Sequence, residues 1–205
     1  IGLCGVDNAS NESILYYTGV RREPLHPYLY SMYTGALVSR DGGQTFPAHS
    51  RRQVLFPTRI GKRFRAGSFV RKSQGLFEMY YIVGEHFEMI EGRMRPCFAL
   101  SKTTSSSPLE WVNDDEVLLS PNSSEYGFGR PWLDLTDPKN DQLYFSVRTR
   151  RGGGYRLGYA EIESSGRLRR NDQSLQITGL PSSFVDESAY ATTFRTAGKR
   201  FLMVC

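Results

Sequence analysis

The chain has 205 residues, 39% hydrophobic and 13% aromatic, which is enough apolar material for a packed core, yet no run approaches the roughly 20 apolar residues of a membrane span. Its net charge of +5 comes from 26 basic and 21 acidic residues intermixed along the chain, which argues against a nucleic-acid-binding strip. The three cysteines, Cys4, Cys97 and Cys205, are odd in number, far apart and without metal-ligand spacing, so they read as reduced thiols of a cytoplasmic protein.

In chain order, the short apolar run Cys4-Gly5-Val6 is followed by Leu15-Tyr16-Tyr17, by Ala36-Leu37-Val38-Ser39, by a turn at Arg40-Asp41-Gly42-Gly43 and by Thr45-Phe46. The same succession returns as Ser68-Phe69-Val70, Met79-Tyr80-Tyr81, Phe98-Ala99-Leu100-Ser101, a turn from Lys102 to Pro108, and Glu110-Trp111. It returns again as Trp132-Leu133, Leu143-Tyr144-Phe145, Gly158-Tyr159-Ala160-Glu161, a turn at Ser164-Ser165-Gly166, and Arg167-Leu168-Arg169. The central triplets keep one period, since 79 − 15 = 64 and 143 − 79 = 64. A further copy opens near Tyr190, with Tyr190-Ala191-Thr192-Thr193-Phe194 and then Phe201-Leu202-Met203-Val204, and stops after two strands.

Each unit therefore reads as four short strands joined by Gly, Ser, Asp and Asn turns, with no helical periodicity. Such units repeated radially make a β-propeller. The expected fold class is all-β, an incomplete propeller with about three and a half four-stranded blades in a single domain, its units lying near residues 2–65, 66–129, 130–187 and 188–205. The longest loop falls at about Glu85 to Arg95. The start, Ile1-Gly2-Leu3-Cys4, has neither an initiator Met nor the layout of a signal peptide, so the chain reads as a fragment, or as one whose open sheet edges a second copy completes.

Inner-strand ends line the axis of a propeller, which singles out Arg130, just before Pro131-Trp132. Arg148 follows the Tyr144-Phe145 strand, and Tyr155-Arg156 opens the next one. Guanidinium groups hold carboxylates, phosphates or vicinal hydroxyls through planar, bidentate donors, and equally hold a neighbouring blade. Both readings stand for these arginines. For acid chemistry, Asp186-Glu187 stands just before the inner strand of the last unit, in the position that Arg130 has in the third, and Asp134 is the second choice. The histidines His26, His49 and His86 sit in different loops without a ligand pair, so neither metal nor cofactor is expected. Ser39-Arg40-Asp41-Gly42-Gly43-Gln44-Thr45-Phe46 matches the Asp-box pattern Ser-x-Asp-x-Gly-x-Thr-aromatic, a turn motif of propeller blades.

Ser39 to Phe46, Phe128-Gly129-Arg130-Pro131-Trp132, Leu143 to Arg148 and Tyr155 to Ala160 together resemble the five-bladed propeller proteins related to glycoside hydrolase families 32, 43 and 68, and more closely an uncharacterised bacterial branch of predicted glycosyl hydrolases. The resemblance implies a five-bladed fold with a carbohydrate in an axial pocket. In that family three acids serve catalysis: a first-blade Asp, the Asp of an Arg-Asp-Pro motif, and a Glu proton donor. Glu187 matches the Glu; Arg130-Pro131 resembles the Arg-Asp-Pro motif with its Asp missing, and the first-blade Asp has no counterpart. The expected ligand is a carbohydrate or a sugar-phosphate-like derivative, held by Arg130, Trp132, Arg148, Tyr155, Arg156 and Tyr190 and hydrolysed if Glu187 and a second carboxylate converge. The alternative is a glycan- or nucleotide-sugar-binding protein without chemistry.

Overall fold

A computed structural model describes residues 11–23, 26–57, 64–112, 115–136, 141–151, 155–171, 191–197 and 199–204. Apart from one 3-10 turn at Ala48–Ser50, the regular structure of these residues is entirely β, and none of it is a helix long and apolar enough to cross a membrane. In chain order the strands are β1 (Ser13–Glu23), β2 (His26–Ser39), β3 (Arg52–Leu55), β4 (Phe64–Ser73), β5 (Leu76–Gly84), β6 (Phe87–Ile90), β7 (Arg93–Pro96), β8 (Ala99–Ser105), β9 (Glu116–Leu119), β10 (Glu125–Asp134), β11 (Gln142–Thr149), β12 (Tyr155–Ile162), β13 (Leu168–Arg170), β14 (Ala191–Thr196) and β15 (Lys199–Val204).

Hydrogen bonding groups them as blades. β4, β5, β8 and β9 form one antiparallel group, and β10 to β13 form another. β1, β2 and β3 form a third, tied to β4 by the single parallel pair Met32 and Phe64. β14 and β15 pair with each other. The first expected strand, Cys4-Gly5-Val6, lies outside the described residues.

The triplets of β5 and β11 are continuous apolar runs because these two strands are buried on both faces. In a strand, successive side chains point to opposite sides. In β5, Phe77, Met79, Tyr81 and Val83 face a core shared with Ile14, Tyr16, Ala36 and Leu55 of the preceding blade. Their alternates Tyr80 and Ile82 face a second core shared with Phe128, Leu133, Leu143, Phe145 and Val147 of the next. β11 does the same, sending Tyr144 to the far side against Tyr159 and Trp132. Phe145 lies so close over the β12 backbone that a Cβ placed on Gly158 would meet its ring at 2.3 Å, so this position requires glycine.

Charged latches fasten blade to blade. Arg71 of β4 bonds Glu78 at 2.5 Å and reaches Asp141 of the next blade at 2.6 Å. Arg65, buried, grips Asp115 through Nε and Nη2 and donates from Nη1 to the Phe56 carbonyl at 2.8 Å.

Two expectations of strand position are corrected. Thr45-Phe46 and Glu110-Trp111 are not the fourth strands; those are β3 and β9. Thr45 instead belongs to a bend in which Asp41 accepts from the Gln44 and Thr45 amides and from the Thr45 hydroxyl at 2.6 Å, while Gly43 N donates to Ser39 Oγ at 2.9 Å. Trp111 is core, its indole donating to the Pro108 carbonyl. The expected long loop from Glu85 is a hairpin, β6 with β7, turned by Glu91 and Gly92 at φ 48° and 73°. Both residues in the left-handed region make a type I′ turn, which matches the twist of the strands it joins.

Candidate functional site

The inner strands β4 and β10 each carry a bulge at an equivalent place: pairing with the next strand slips between Ala66 and Phe69, and between Gly129 and Trp132. The residues that absorb the slip include Gly67, at φ 64°, and Arg130, at φ 48°. Glycine adopts this left-handed conformation freely, whereas arginine is strained there by roughly 1 kcal/mol or more, and such strain concentrates at functional sites. The bulge breaks the pairing and leaves the Arg130 residue exposed.

Around it, β11, β12, β2 and the β6–β7 hairpin bring together a line of aromatic rings and guanidinium groups. Arg148 lies over two rings, with Cζ 4.9 Å from the Phe98 ring centre and 5.1 Å from that of Tyr155. Phe98 meets Phe64 edge-on at 4.9 Å, Phe64 meets Phe87 at 5.3 Å, and Tyr30 touches both Phe64 and Phe87. Stacked guanidinium groups gain roughly 0.5 to 2 kcal/mol from each favourable ring. Among the described residues, the buried Arg148 Nε has no hydrogen-bond acceptor.

The electrostatics are those of a cationic, partly buried cluster. Burial lowers the affinity of Arg130 for its proton, and the neighbouring Arg148 charge acts in the same direction. Burial pushes the Tyr30 and Tyr126 phenols up, opposed in each case by the charges of Arg148 and Arg95. Arg95, Arg130 and Arg148 thus share one field with Tyr30, Tyr126 and Tyr155. An anion placed there relieves the mutual repulsion and meets planar donors.

The structure gathers some of the residues marked in the sequence and separates others. Arg130, Arg148 and Tyr155 come together. Arg156 follows Tyr155 on the opposite face of β12 and is exposed. Trp132 packs edge-on against Phe69 at 5.1 Å and donates its indole N–H to Thr193 Oγ1 of β14 at 3.1 Å, so it joins blades. Asp134 closes the far end of β10, opposite Gln142, about 20 Å along β11 from Arg148. There it is buried and accepts from the Thr136 amide and hydroxyl at 2.8 and 2.6 Å, the bonds of a turn cap. Glu187 and Tyr190 lie outside the described residues. Tyr30, Arg95 and Phe98 did not stand out in the sequence, because their place depends on a long hairpin and an inserted one.

Beside this line, the β6–β7 hairpin shelters a cavity of about 360 Å³ lined by His86, Glu88, Cys97, Phe98, Tyr126 and Arg150 among others. Glu88 bonds Arg150 Nη1 at 2.5 Å through Oε2 and faces His86 Nε2 at 3.1 Å through Oε1. Its carboxyl is held down at about 2, chiefly by Arg150. Burial pushes the Cys97 thiol up to about 12. The ligating atoms of His86, Glu88 and Cys97 all lie within 4.8 Å of one another, a convergence at odds with the expectation of no metal-ligand set.

No protein-family model matches the sequence, and no curated protein does so significantly. Solved structures do. The chain aligns over 98% of its length with the GH32 β-fructofuranosidase BmSUC1 of Bombyx mori, at TM-score 0.64 and 16% identity, covering 41% of that chain. It aligns over its whole length with Zg3597, a family 117 glycoside hydrolase of the marine bacterium Zobellia galactanivorans, at TM-score 0.64 and 14% identity, covering 65% of that chain. The α-L-arabinanase of Cellvibrio cellulosa matches over 84% of this chain and 57% of its own, at TM-score 0.54 and 10% identity. The chain has the β-propeller fold of these glycoside hydrolases. It spans between about two fifths and two thirds of their lengths. A mutant of the Bombyx mori enzyme has also been solved in complex with sucrose.

Proposed function

We propose that this chain is the carbohydrate-binding part of a glycosidase-like propeller and that its ligand is a sugar carrying a negative charge. The observation that carries this reading is Arg148, a guanidinium over the rings of Phe98 and Tyr155 with its Nε buried and without an acceptor among the described residues, and close enough to Arg130 to act on its charge. Aromatic faces suit the apolar faces of a sugar ring, and paired guanidinium groups suit a carboxylate, sulfate or phosphate on it. The likeness to glycoside hydrolases supports the sugar, and the cationic pocket supports the charge.

Hydrolysis belongs to the same proposal through Glu187, the position matched to the family's proton donor. Such chemistry ordinarily takes a second carboxylate beside Glu187, and Asp134 is the second candidate. The bend at Ser39 to Thr45 is read as an Asp-box that stiffens the outer end of its blade. The test is a comparison of binding and turnover on glycosides differing only in one acidic substituent. Glu187→Gln should retain binding and lose turnover. Unchanged turnover would remove Glu187 from the chemistry, and equal binding of neutral and acidic sugars would remove the charge from the ligand.

A further inference from the structure

The β6–β7 hairpin does more than wall a cavity. His86 lies just before β6 and Glu88 on it, two residues apart, while Cys97 follows β7 directly, and Cys97 N donates to the His86 carbonyl at 3.1 Å, closing the base of the hairpin. Three different donor types thus converge at one point: an imidazole nitrogen, a carboxylate oxygen and a thiol sulfur. We propose that His86, Glu88 and Cys97 bind a zinc-like transition-metal dication at the base of this hairpin.

The donor set suits a borderline-soft dication, which takes nitrogen, oxygen and sulfur together. In a tetrahedron with bonds of about 2.0 to 2.3 Å, ligand atoms stand roughly 3.4 to 3.8 Å apart. The three donor atoms, within 4.8 Å of each other, need to draw together by about 1.5 Å or less to bind. Glu88 is divided appropriately: Oε1 faces His86, and Oε2 is fixed by Arg150 at 2.5 Å. A ligating carboxylate is characteristically oriented by such a second hydrogen bond. Binding sends the Cys97 thiol proton to solvent and uses His86 as neutral imidazole, its proton on Nδ1 and the Nε2 lone pair on the metal. Three protein ligands leave a fourth position, which faces the cavity of about 360 Å³ that all three line. The competing role of the cluster is a plain latch, with Glu88 accepting from Arg150 and His86 to hold the hairpin to the next blade.

Titration of the full chain with Co²⁺ separates the two, because a thiolate ligand gives a charge-transfer absorption in the near ultraviolet. The expected result is one equivalent bound with that band, bleached by Zn²⁺. Cys97→Ser should remove the band. His86→Ala, at a ring 63% exposed and so without consequence for folding, should weaken Co²⁺ about tenfold or more. Absence of a band in the unmodified chain, a band persisting in Cys97→Ser, or an affinity unchanged in His86→Ala overturns the proposal.

Discussion

Gly67 and Arg130 stand side by side where two inner strands bulge: a Cβ placed on Gly67 would lie 3.9 Å from the backbone nitrogen of Arg130, and both residues have left-handed backbone. The repeat puts equivalent bulges in neighbouring blades next to one another, with glycine in one and arginine in the other. Arg130→Gly should therefore raise or maintain the melting temperature, through relief of roughly 1 kcal/mol of backbone strain, while weakening an acidic sugar. Thermal unfolding and calorimetric titration on the same variant check this. A fall in melting temperature with binding intact would make Arg130 a structural residue.

Gly158 tests the packing that the repeat created. Its missing Cβ is where the Phe145 ring lies, so Gly158→Ala must move either the ring or the strand, at a cost of about 1 to 3 kcal/mol. Urea denaturation should show a lower midpoint with the slope unchanged. An unaltered midpoint would mean the ring is loosely held.

The buried pair Arg65 and Asp115 should respond asymmetrically. Asp115 also accepts from the Tyr81 hydroxyl, so Asp115→Ala strands both a guanidinium and a phenol and should cost about 3 to 5 kcal/mol. The double variant Arg65→Met, Asp115→Leu should cost less than the sum of the single ones. Strict additivity in denaturant midpoints would contradict the coupling.

Asp41 supplies the pH dependence. Its carboxyl is held well below the usual carboxylate range, first by the Ser39 hydroxyl and then by the hydroxyl and amide of Thr45. A folded value below the unfolded one, about 3.9, means that the bend's contribution is complete above that pH and is lost only as pH falls through the folded value. The Gln44 and Thr45 amide resonances should hold constant down through about pH 4 and shift only under stronger acid. A midpoint at the ordinary carboxylate value would show the bend bonds to be absent in solution.

What the sequence made legible follows from burial. Strands β5 and β11 are apolar on both faces, so their triplets stood out at a constant spacing and revealed the propeller. The outer strands β3 and β9 are only four residues long and each is exposed over its first two, so they were too short to register and Thr45-Phe46 and Glu110-Trp111 stood in their place. Turn chemistry at Glu91-Gly92 between Met89-Ile90 and Arg93-Met94 was the available sign of the inserted hairpin, and His86-x-Glu88 was the sign of its ligand cluster. Asp134 stands at the other end of β10 from the strand position that pairs with Arg148, and spacing along a strand does not tell which end a residue occupies. Arg130, Arg148 and Tyr155 were marked because they stand beside the apolar strand runs, and the structure brings these three side chains near one another.

Selection of a charged sugar by Arg130 and Arg148 is measured directly by calorimetric affinity for a uronic acid against its neutral parent sugar, with the unmodified chain and with Arg148→Met. The expected result is at least about tenfold preference for the uronate, weakening as salt is raised and abolished in Arg148→Met, which keeps the bulk beside Phe98 and Tyr155 but not the charge. Equal affinity for the two sugars, or a preference that survives in Arg148→Met, would contradict it.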